Sequence, residues 1–307
     1  LGGESFDASR KNHDVTGVLR LTWDSNKKQI QIEDDFLPPL PRATSYHGGA
    51  ILGDTIYVAA SHTQDENSRR LDTKAFWSLN LALPKDRRKW KSLPTWPGKP
   101  RYKMAMATAM FTEKESSPRE QLFLISGGTW VKDESGEIDL SKFEYFDDAF
   151  RFDPATEKWT ELASLPKLKE MRDIDTTGYR YDDGAHSWLP IGENDSKSDV
   201  HALFDDGPRA AAAAVEINDG QGRVLLFSGS TGRYVTMNVK DRPLFPAEVL
   251  GYDVQMNRWS VAGKMPSAVV TTGITRWNGR IVIASGEIRP GVQTRKVQSL
   301  TLDPARP

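Results

Sequence analysis

The sequence predicts an all-β protein whose strands form the four-stranded antiparallel blades of a β-propeller. Short runs alternate apolar and polar residues with period two and are bounded by Gly, Pro and Asp, which is typical of β-strands. The same succession of four runs recurs along the chain. One such sheet cannot bury both of its faces, and radial stacking of repeated sheets solves that problem. No long segment carries apolar residues at three- and four-residue spacing, so helical repeats are not predicted.

Each repeat starts with small or apolar residues, often after Pro-Arg, and continues with an apolar run ending in a small pair. A strand ending near Asp follows, and the last strand carries Trp and closes on Leu-Pro. Residues 100–166 show all four parts as "PRYKMAMATAM", "LFLISGG", "DDAFRFDP" and "KWTELASLP". Residues 42–94 and 208–266 repeat them. Residues 267–302 supply only the first three parts and residues 1–41 only later ones. We therefore expect a chain truncated at both ends, and six blades when it is complete.

The repeats indicate a single propeller domain over residues 1–307. Joining its two incomplete ends gives about four blades, the low limit for this architecture, so a small propeller closed by its own termini is the alternative to truncation. An acidic, polar insertion at 167–206 interrupts the repeats between two blades. A connection of that length is usually functional or disordered. We expect either a lid over the mouth of the channel or a solvated excursion on the face of the propeller.

Composition excludes several kinds of partner. The net charge is −1 at pH 7, whereas a nucleic-acid or polybasic membrane surface needs a cationic excess. The sequence contains no run of about 18 apolar residues, which is the length that a helix needs to span a bilayer. The chain has no cysteine and its five histidines lack ligand spacing, so we predict no metal site. The residues from Leu1 onward do not have the basic and apolar character that we expect of a signal peptide, and this leaves the compartment unknown from sequence.

The repeat resembles the Kelch motif, in which a small-residue doublet precedes an aromatic–Asp step and a spaced tryptophan. Phe152-Asp153 and Tyr252-Asp253 hold the aromatic–Asp step. The tryptophan position is held by Trp90, Trp159 and Trp259, which we expect to be packing residues. The resemblance therefore implies a Kelch-type β-propeller.

Within the Kelch proteins, the stretch "SGEIRPGVQT" at 285–294 resembles the sialic acid mutarotases, or N-acetylneuraminate epimerases. Their loop reads Gly-Glu, two residues, Pro-Gly, one residue and Arg-Thr, which here begins at Gly286-Glu287. "FLPPLP" and "ILGDTIYVA" extend the resemblance. The chain starts in the equivalent of the last epimerase blade, as in the cyclically permuted mutarotases. Gln293 stands where the family loop has an arginine.

The resemblance implies a mutarotase that needs no cofactor and interconverts the anomers of a sugar acid such as N-acetylneuraminate. Ring opening needs a base for the anomeric hydroxyl and an acid for the ring oxygen, and Glu287 is the expected proton shuttle. Guanidinium groups suit the sugar carboxylate because their planar fork binds it in a bidentate way. The Kelch arrangement places loop 286–296 on the rim that carries the heads of the inner strands. The expected substrate-binding residues are Arg42, Arg101, Arg209, Arg289, Gln293 and Arg295, with Trp130 as a stacking residue.

The residues leave alternatives open. An arginine at the head of an inner strand often bonds only neighbouring loop carbonyls, and Pro290-Gly291 forms a turn with or without a ligand. The second functional hypothesis is a non-catalytic propeller that binds a glycan or a protein partner. Gln293 favours that hypothesis, whereas Glu287 in its Gly-Glu…Pro-Gly frame favours the mutarotase. Related mutarotases handle sugars from outside the cell, so the resemblance implies a periplasmic or secreted protein.

Overall fold

The computed structural model is almost entirely β. It describes residues 1–6, 12–64, 70–113, 117–134, 138–165, 179–182, 187–190, 208–217, 222–231, 237–238, 241–242 and 244–301. This part of the chain contains 23 strands and one short 3-10 helix, Lys85–Arg87. None of its helices is long and apolar enough to cross a membrane. The chain divides into two compact units, Leu1–Tyr102 and Lys103–Pro307.

The first unit contains eight strands in three antiparallel sheets. Its strands are β1 (Glu4–Phe6), β2 (Asn12–Asp14), β3 (Arg20–Asp24), β4 (Gln29–Glu33), β5 (Gly48–Leu52), β6 (Thr55–Gln64), β7 (Arg70–Asn80) and β8 (Lys91–Ser92). Strands β5 to β8 form a four-stranded sheet in chain order, and β1–β2 and β3–β4 are hairpins. The four-stranded sheet covers a core that includes Val18, Leu40 and Trp77.

The second unit contains fifteen strands, all paired antiparallel. They are β9 (Ala105–Phe111), β10 (Arg119–Ile125), β11 (Gly128–Lys132), β12 (Ile138–Tyr145), β13 (Ala149–Asp153), β14 (Lys158–Glu161), β15 (Tyr179–Asp182), β16 (Ser187–Pro190), β17 (Ala213–Ile217), β18 (Arg223–Phe227), β19 (Glu248–Asp253), β20 (Arg258–Lys264), β21 (Gly273–Trp277), β22 (Arg280–Arg289) and β23 (Val292–Thr301). Strands β9, β10, β13 and β14 form one four-stranded sheet, and β17 to β20 form another. Strands β21 to β23 form a three-stranded sheet, and β11–β12 and β15–β16 are hairpins.

These sheets coincide with the repeats of the sequence. Each full repeat is a four-stranded antiparallel meander, the blade of a β-propeller, and the repeat at 267–302 is the three-stranded sheet. The predicted all-β fold of four-stranded antiparallel blades is therefore confirmed. The number of blades in a complete chain stays a prediction.

The aspartate of the aromatic–Asp step shapes the turn between the third and fourth strand of a blade. Asp153 Oδ1 accepts a hydrogen bond from the N–H of Ala155 at 2.9 Å. Asp253 Oδ1 does the same for Gln255 at 3.0 Å and Met256 at 2.8 Å. Aspartate favours such turns because its short carboxylate reaches the backbone two or three residues on.

The repeat tryptophans pack between neighbouring outer strands. The ring of Trp259 lies 4.9 Å from that of Tyr252, and its Nε1 donates to the carbonyl of Ala163 in the preceding blade at 2.9 Å. Trp90 Nε1 donates to Pro38 O at 3.1 Å in the first unit. These contacts agree with the packing role that the sequence predicts.

Small residues on the inner strands let neighbouring blades approach closely. Ala105, Ala107 and Ala109 from β9 are buried with Ala212 and Ala214 in one core of the second unit. Bulky side chains from the second and third strands fill the space behind them. The inner strands β9 and β17 therefore lie next to each other.

The insertion at 167–206 is described only at its antiparallel hairpin β15–β16. Strand β15 lies beside β20, the outermost strand of the third full blade. The other residues of the insertion lie outside the described residues. The two alternatives for the insertion, a lid over the channel mouth or a solvated excursion on the face of the propeller, stay predictions.

Candidate functional site

A left-handed Ser-Gly step follows the second strand in two blades of the second unit and interrupts the second strand, β22, in a third. It occurs at Ser126-Gly127, Ser228-Gly229 and Ser285-Gly286, with φ of 59°, 58° and 62° at serine and 98°, 121° and 119° at glycine. Glycine has the freedom that such angles require. The three serine hydroxyls donate to carbonyls of the returning chain, those of Phe146 at 3.1 Å, Pro246 at 2.8 Å and Thr294 at 2.8 Å. The small doublet of the repeat therefore redirects the chain out of each sheet.

The residue after the step is fixed against the start of the inner strand of its own blade. Ser230 exchanges two backbone hydrogen bonds with Ala210, at 2.7 and 2.9 Å. Glu287 exchanges two with Val270, at 2.9 and 3.0 Å. Ser230 and Glu287 therefore occupy equivalent positions in consecutive blades.

Backbone hydrogen bonds also link the starts of the inner strands from one blade to the next. The N–H of Ala211 donates to Lys103 O at 2.7 Å, and the N–H of Thr271 donates to Ala211 O at 3.0 Å. All three residues have left-handed backbones, with φ of 55° at Lys103, 59° at Ala211 and 54° at Thr271. This chain of bonds places the Ser230 and Glu287 loops side by side at one end of the second unit.

Glu287 lies near the end of β22, directly opposite Gln293 on β23. Directly opposed residues of an antiparallel pair have Cβ atoms about 5 Å apart on the same face. The half-buried Glu287 carboxylate accepts one hydrogen bond through Oε1, from the N–H of Gly291 at 3.3 Å. Among the residues that the structure describes, its Oε2 has no hydrogen-bond partner and the carboxylate forms no ion pair. One oxygen therefore closes the turn while the other is available to a ligand.

Arg289 is the half-buried cation of the same hairpin. Ile288 beside it packs into the core, and its carbonyl accepts the N–H of Phe245 at 2.9 Å. The Nε of Arg289 is shielded from solvent and has no hydrogen-bond partner within the described chain. Buried donors are normally satisfied, so an unmet guanidinium N–H is a group that a bound anion could complete. Arg295 and Gln293 are exposed on the returning strand.

Arg209 lies in a different environment, because its guanidinium is buried and bonded within its own blade. Nη1 donates to Ser228 O at 2.9 Å and to Glu248 O at 3.3 Å. Nη2 lies 3.5 Å from Glu248 Oε2, and the two side chains are only 2% and 8% exposed. These contacts tie the left-handed step to the third strand of the same blade. Its substrate-binding role stays a prediction.

Arg42 and Arg101 belong to the first unit. Arg101 is fully buried, and its backbone N–H donates to Ser61 Oγ at 2.9 Å. The Arg42 guanidinium hydrogen-bonds the hydroxyl and carbonyl of Thr73 and lies 5.7 Å over the Trp77 ring. Burial lowers the pKa of Arg42. Their predicted roles in substrate binding are not tested by these contacts.

Trp130 belongs to an aromatic set on the β11–β12 hairpin. It meets Phe143 edge to face at 4.9 Å, and Phe143 meets Tyr145 at 4.8 Å. The expected stacking of Trp130 on a sugar stays a prediction.

Tyr145 contacts the next blade, since its hydroxyl lies 3.1 Å from Ser230 Oγ. Sequence reasoning missed both hydroxyls, although aligning the small doublets would have matched Ser230 with Glu287.

A cleft of about 240 Å³ lies elsewhere along the last sheet. Its lining includes Met265, Ile283 and Leu300, and none of the predicted site residues borders it. It is an apolar gap near the outer strand and offers no acid or base. Among the described residues, no group of three or more His, Asp or Glu side chains is arranged to hold a metal ion.

Fold and loops together define a β-propeller that presents a carboxylate, a partly shielded guanidinium and a hydroxyl pair on neighbouring loops. Residues 37–306 match the sequence model of the N-acetylneuraminate epimerase family, and the chain belongs to that family. The family resemblance predicted from the sequence is thereby confirmed.

Individual relatives agree with the family assignment. The chain is 24% identical over 258 residues to the N-acetylneuraminate epimerase of Pasteurella multocida strain Pm70, covering 84% of this chain and 56% of that protein. It is 25% identical over 261 residues to the enzyme of the same name from Haemophilus influenzae strain 86-028NP, covering 84% and 57%. The chain thus spans little more than half the length of these curated relatives.

The fold is similar to that of a solved propeller structure, YjhT. The two chains align with a TM-score of 0.52 at 17% identity, over 89% of this chain and 69% of that one.

Proposed function

We propose that the protein is a cofactor-independent mutarotase that interconverts the anomers of a sugar acid such as N-acetylneuraminate. The observation that carries the proposal is the position of Glu287. One carboxylate oxygen is held by the N–H of Gly291, and the other has no partner in the described chain. A general base needs such an oriented group with an available oxygen.

Ring opening moves two protons and breaks one bond. The free oxygen of Glu287 takes the proton of the anomeric hydroxyl while the bond between the anomeric carbon and the ring oxygen breaks. The ring oxygen takes up a proton from water or from a neighbouring acid, which leaves an open-chain ketone. The ketone rotates, and the reverse steps close the ring on the opposite face and return both protons.

Arg289 is our choice for the group that binds the sugar carboxylate. In the part of the chain that the structure describes, the Nε–H of its guanidinium has no partner, whereas the guanidinium of Arg209 already bonds two carbonyls and Glu248. Charge-assisted hydrogen bonds from arginine to a carboxylate are among the stronger polar contacts. Arg295 and Gln293 on the returning strand would add a second cation and a neutral hydrogen-bonding group.

The catalytic part is tested by one-dimensional proton exchange NMR on N-acetylneuraminate, following the α and β anomers with and without protein. We expect accelerated exchange that falls by roughly 10²- to 10⁴-fold in Glu287→Gln, the range for loss of a general acid–base group. Glu161→Gln is the matched control, because Glu161 is an exposed acid on an outer strand. Equal loss of exchange in both variants would contradict a proton-transfer role for Glu287.

The binding part is tested with Arg289→Met in the same exchange assay. We expect KM for N-acetylneuraminate to rise about tenfold or more, because one charge-assisted contact is worth roughly 1.5–3 kcal/mol. Arg280→Met removes an exposed cation of equal size from the first residue of β22, at the opposite end of the strand, and should leave KM unchanged. An unchanged KM in Arg289→Met would remove Arg289 from the binding site.

A second candidate function is a non-catalytic propeller that binds a glycan or a protein, and Gln293 favours it. Without the loop arginine of the family, the site has one cation fewer for an acidic sugar. Broadened N-acetylneuraminate lines without faster exchange would identify a sugar-binding propeller. If the protein causes neither faster exchange nor broadened lines, the search moves to other sugar acids and then to protein partners.

A further inference from the structure

We propose that the hydroxyls of Tyr145 and Ser230 form a second part of the substrate site, which hydrogen-bonds a neutral hydroxyl or amide group of the sugar. The inference rests on the proposed function and extends it, since it assigns a subsite for the uncharged part of the substrate. It predicts that these residues determine affinity and specificity rather than the rate of proton transfer.

The first support is position. Ser230 and Glu287 follow the same Ser-Gly step in consecutive blades, and each is held by two backbone hydrogen bonds to the start of its inner strand. The starts of those two inner strands are joined by the bond from Thr271 N–H to Ala211 O. A ligand that reaches the free oxygen of Glu287 therefore has Ser230 on the adjacent loop.

The second support is unused hydrogen-bonding capacity. A hydroxyl can donate once and accept twice, so the 3.1 Å contact between Tyr145 and Ser230 uses one hydrogen of the two that the pair carries. In the described chain neither hydroxyl has another hydrogen-bond partner. Thr231, the next residue, has an Oγ1 that is shielded from solvent and also unpartnered. Unmet polar atoms concentrated on one loop are what a polyhydroxylated ligand would satisfy.

The third support is that the pair is oriented and remains neutral. Tyr145 is half-buried and its ring packs edge to face on Phe143, which fixes the direction of its hydroxyl. Burial raises the pKa of Tyr145, so the phenol keeps its proton at physiological pH. A neutral, fixed donor suits a sugar hydroxyl, whereas a phenolate would repel the negatively charged substrate.

The test compares Ser230→Ala and Tyr145→Phe with the unaltered protein, using N-acetylneuraminate as the probe. Exchange NMR gives kcat and KM, ligand line broadening gives the dissociation constant, and thermal unfolding reports stability. We expect KM or the dissociation constant to rise about tenfold in each variant, with kcat changed less than about threefold. Ser260→Ala on the outer strand β20 is the control, since the hydroxyl that it removes bonds only Gly251 O, at 3.4 Å, among the described residues.

The outcomes separate this inference from the proposed function. Accelerated exchange with unchanged KM in both variants would overturn the subsite and leave the mutarotase standing, as would a drop in melting temperature without any change in affinity. Binding without exchange, weakened in both variants, would support the subsite and refute the catalysis. If the unaltered protein neither binds N-acetylneuraminate nor accelerates its exchange, both the subsite and the proposed function are overturned.

Discussion

Gly286 should tolerate no side chain, because its backbone and its surroundings both exclude a Cβ atom. Its φ is +119°, and a Cβ there would lie 2.7 Å from the carbonyl oxygen of Val270. That oxygen is the acceptor for the N–H of Glu287 at 3.0 Å. In Gly286→Ala the Val270 carbonyl must therefore move, and the pair of bonds that fixes Glu287 must weaken.

The size of the effect follows from these two parts. A non-glycine residue in a glycine-only backbone region costs roughly 1–3 kcal/mol. Each backbone hydrogen bond that is lost adds about 0.5–1.5 kcal/mol. We therefore expect Gly286→Ala to lower the free energy of unfolding by roughly 2–6 kcal/mol if both bonds are lost, and to reduce anomer exchange, since the carboxylate loses its support.

Gly273 on the adjacent strand β21 provides the matched control. Its backbone is ordinary and a Cβ there meets no atom within 4 Å. Urea unfolding followed by circular dichroism would compare the two alanine variants, and hydrogen exchange of peptides covering 281–301 would localise the change. Equal stability and equal protection in Gly286→Ala and Gly273→Ala would refute the argument that the step is obligatory for the Glu287 loop.

Two further predictions concern buried charge. Desolvation lowers the pKa of His47 from 6.5 to about 4, so the fold favours neutral histidine, and stability is complete above pH 6.5 and declines as the pH falls towards 4. His47→Gln should remove about 2 kcal/mol of the stability difference between pH 7 and pH 5 in urea titrations, and an unchanged pH dependence would contradict this assignment. Arg209→Met leaves Glu248 buried without its cation and should cost about 3–5 kcal/mol. Adding Glu248→Gln should restore part of that loss, and equal stability of the single and double variants would argue against the buried pair.

The blades could be predicted from the sequence because their determinants are local. Alternation with period two, the Asp turn and the tryptophan recur at similar spacing, and each depends on residues within a few positions, as at Asp153 and Asp253. The hairpins beyond the Ser-Gly steps were less accessible to sequence reasoning. Tyr145 and Ser230 meet across 85 residues of chain, and only the stacking of blades brings them together.

The arginines show why residue type alone did not resolve the site. Arg209 and Arg289 both lie next to a left-handed step, and nothing in their sequence context ranks one above the other. The surroundings differ, since two carbonyls and Glu248 surround the guanidinium of Arg209, whereas the shielded Nε of Arg289 has no hydrogen-bond partner among the described residues. Which carbonyls a side chain meets depends on the approach of other strands, and periodicity contains no such information.

Gln293 has a structural consequence that bears on the chemistry. It lies directly opposite Glu287, so an arginine at that position would stand about 5 Å away on the same face and would compete with the substrate for the carboxylate. Glutamine removes that competition, and within the described chain the Glu287 carboxylate accepts a single hydrogen bond, from the N–H of Gly291. The same replacement removes a cation that could bind a sugar acid. If the protein is the proposed mutarotase, substrate affinity should therefore depend heavily on Arg289, and Gln293→Arg should reduce the sensitivity of KM to Arg289→Met.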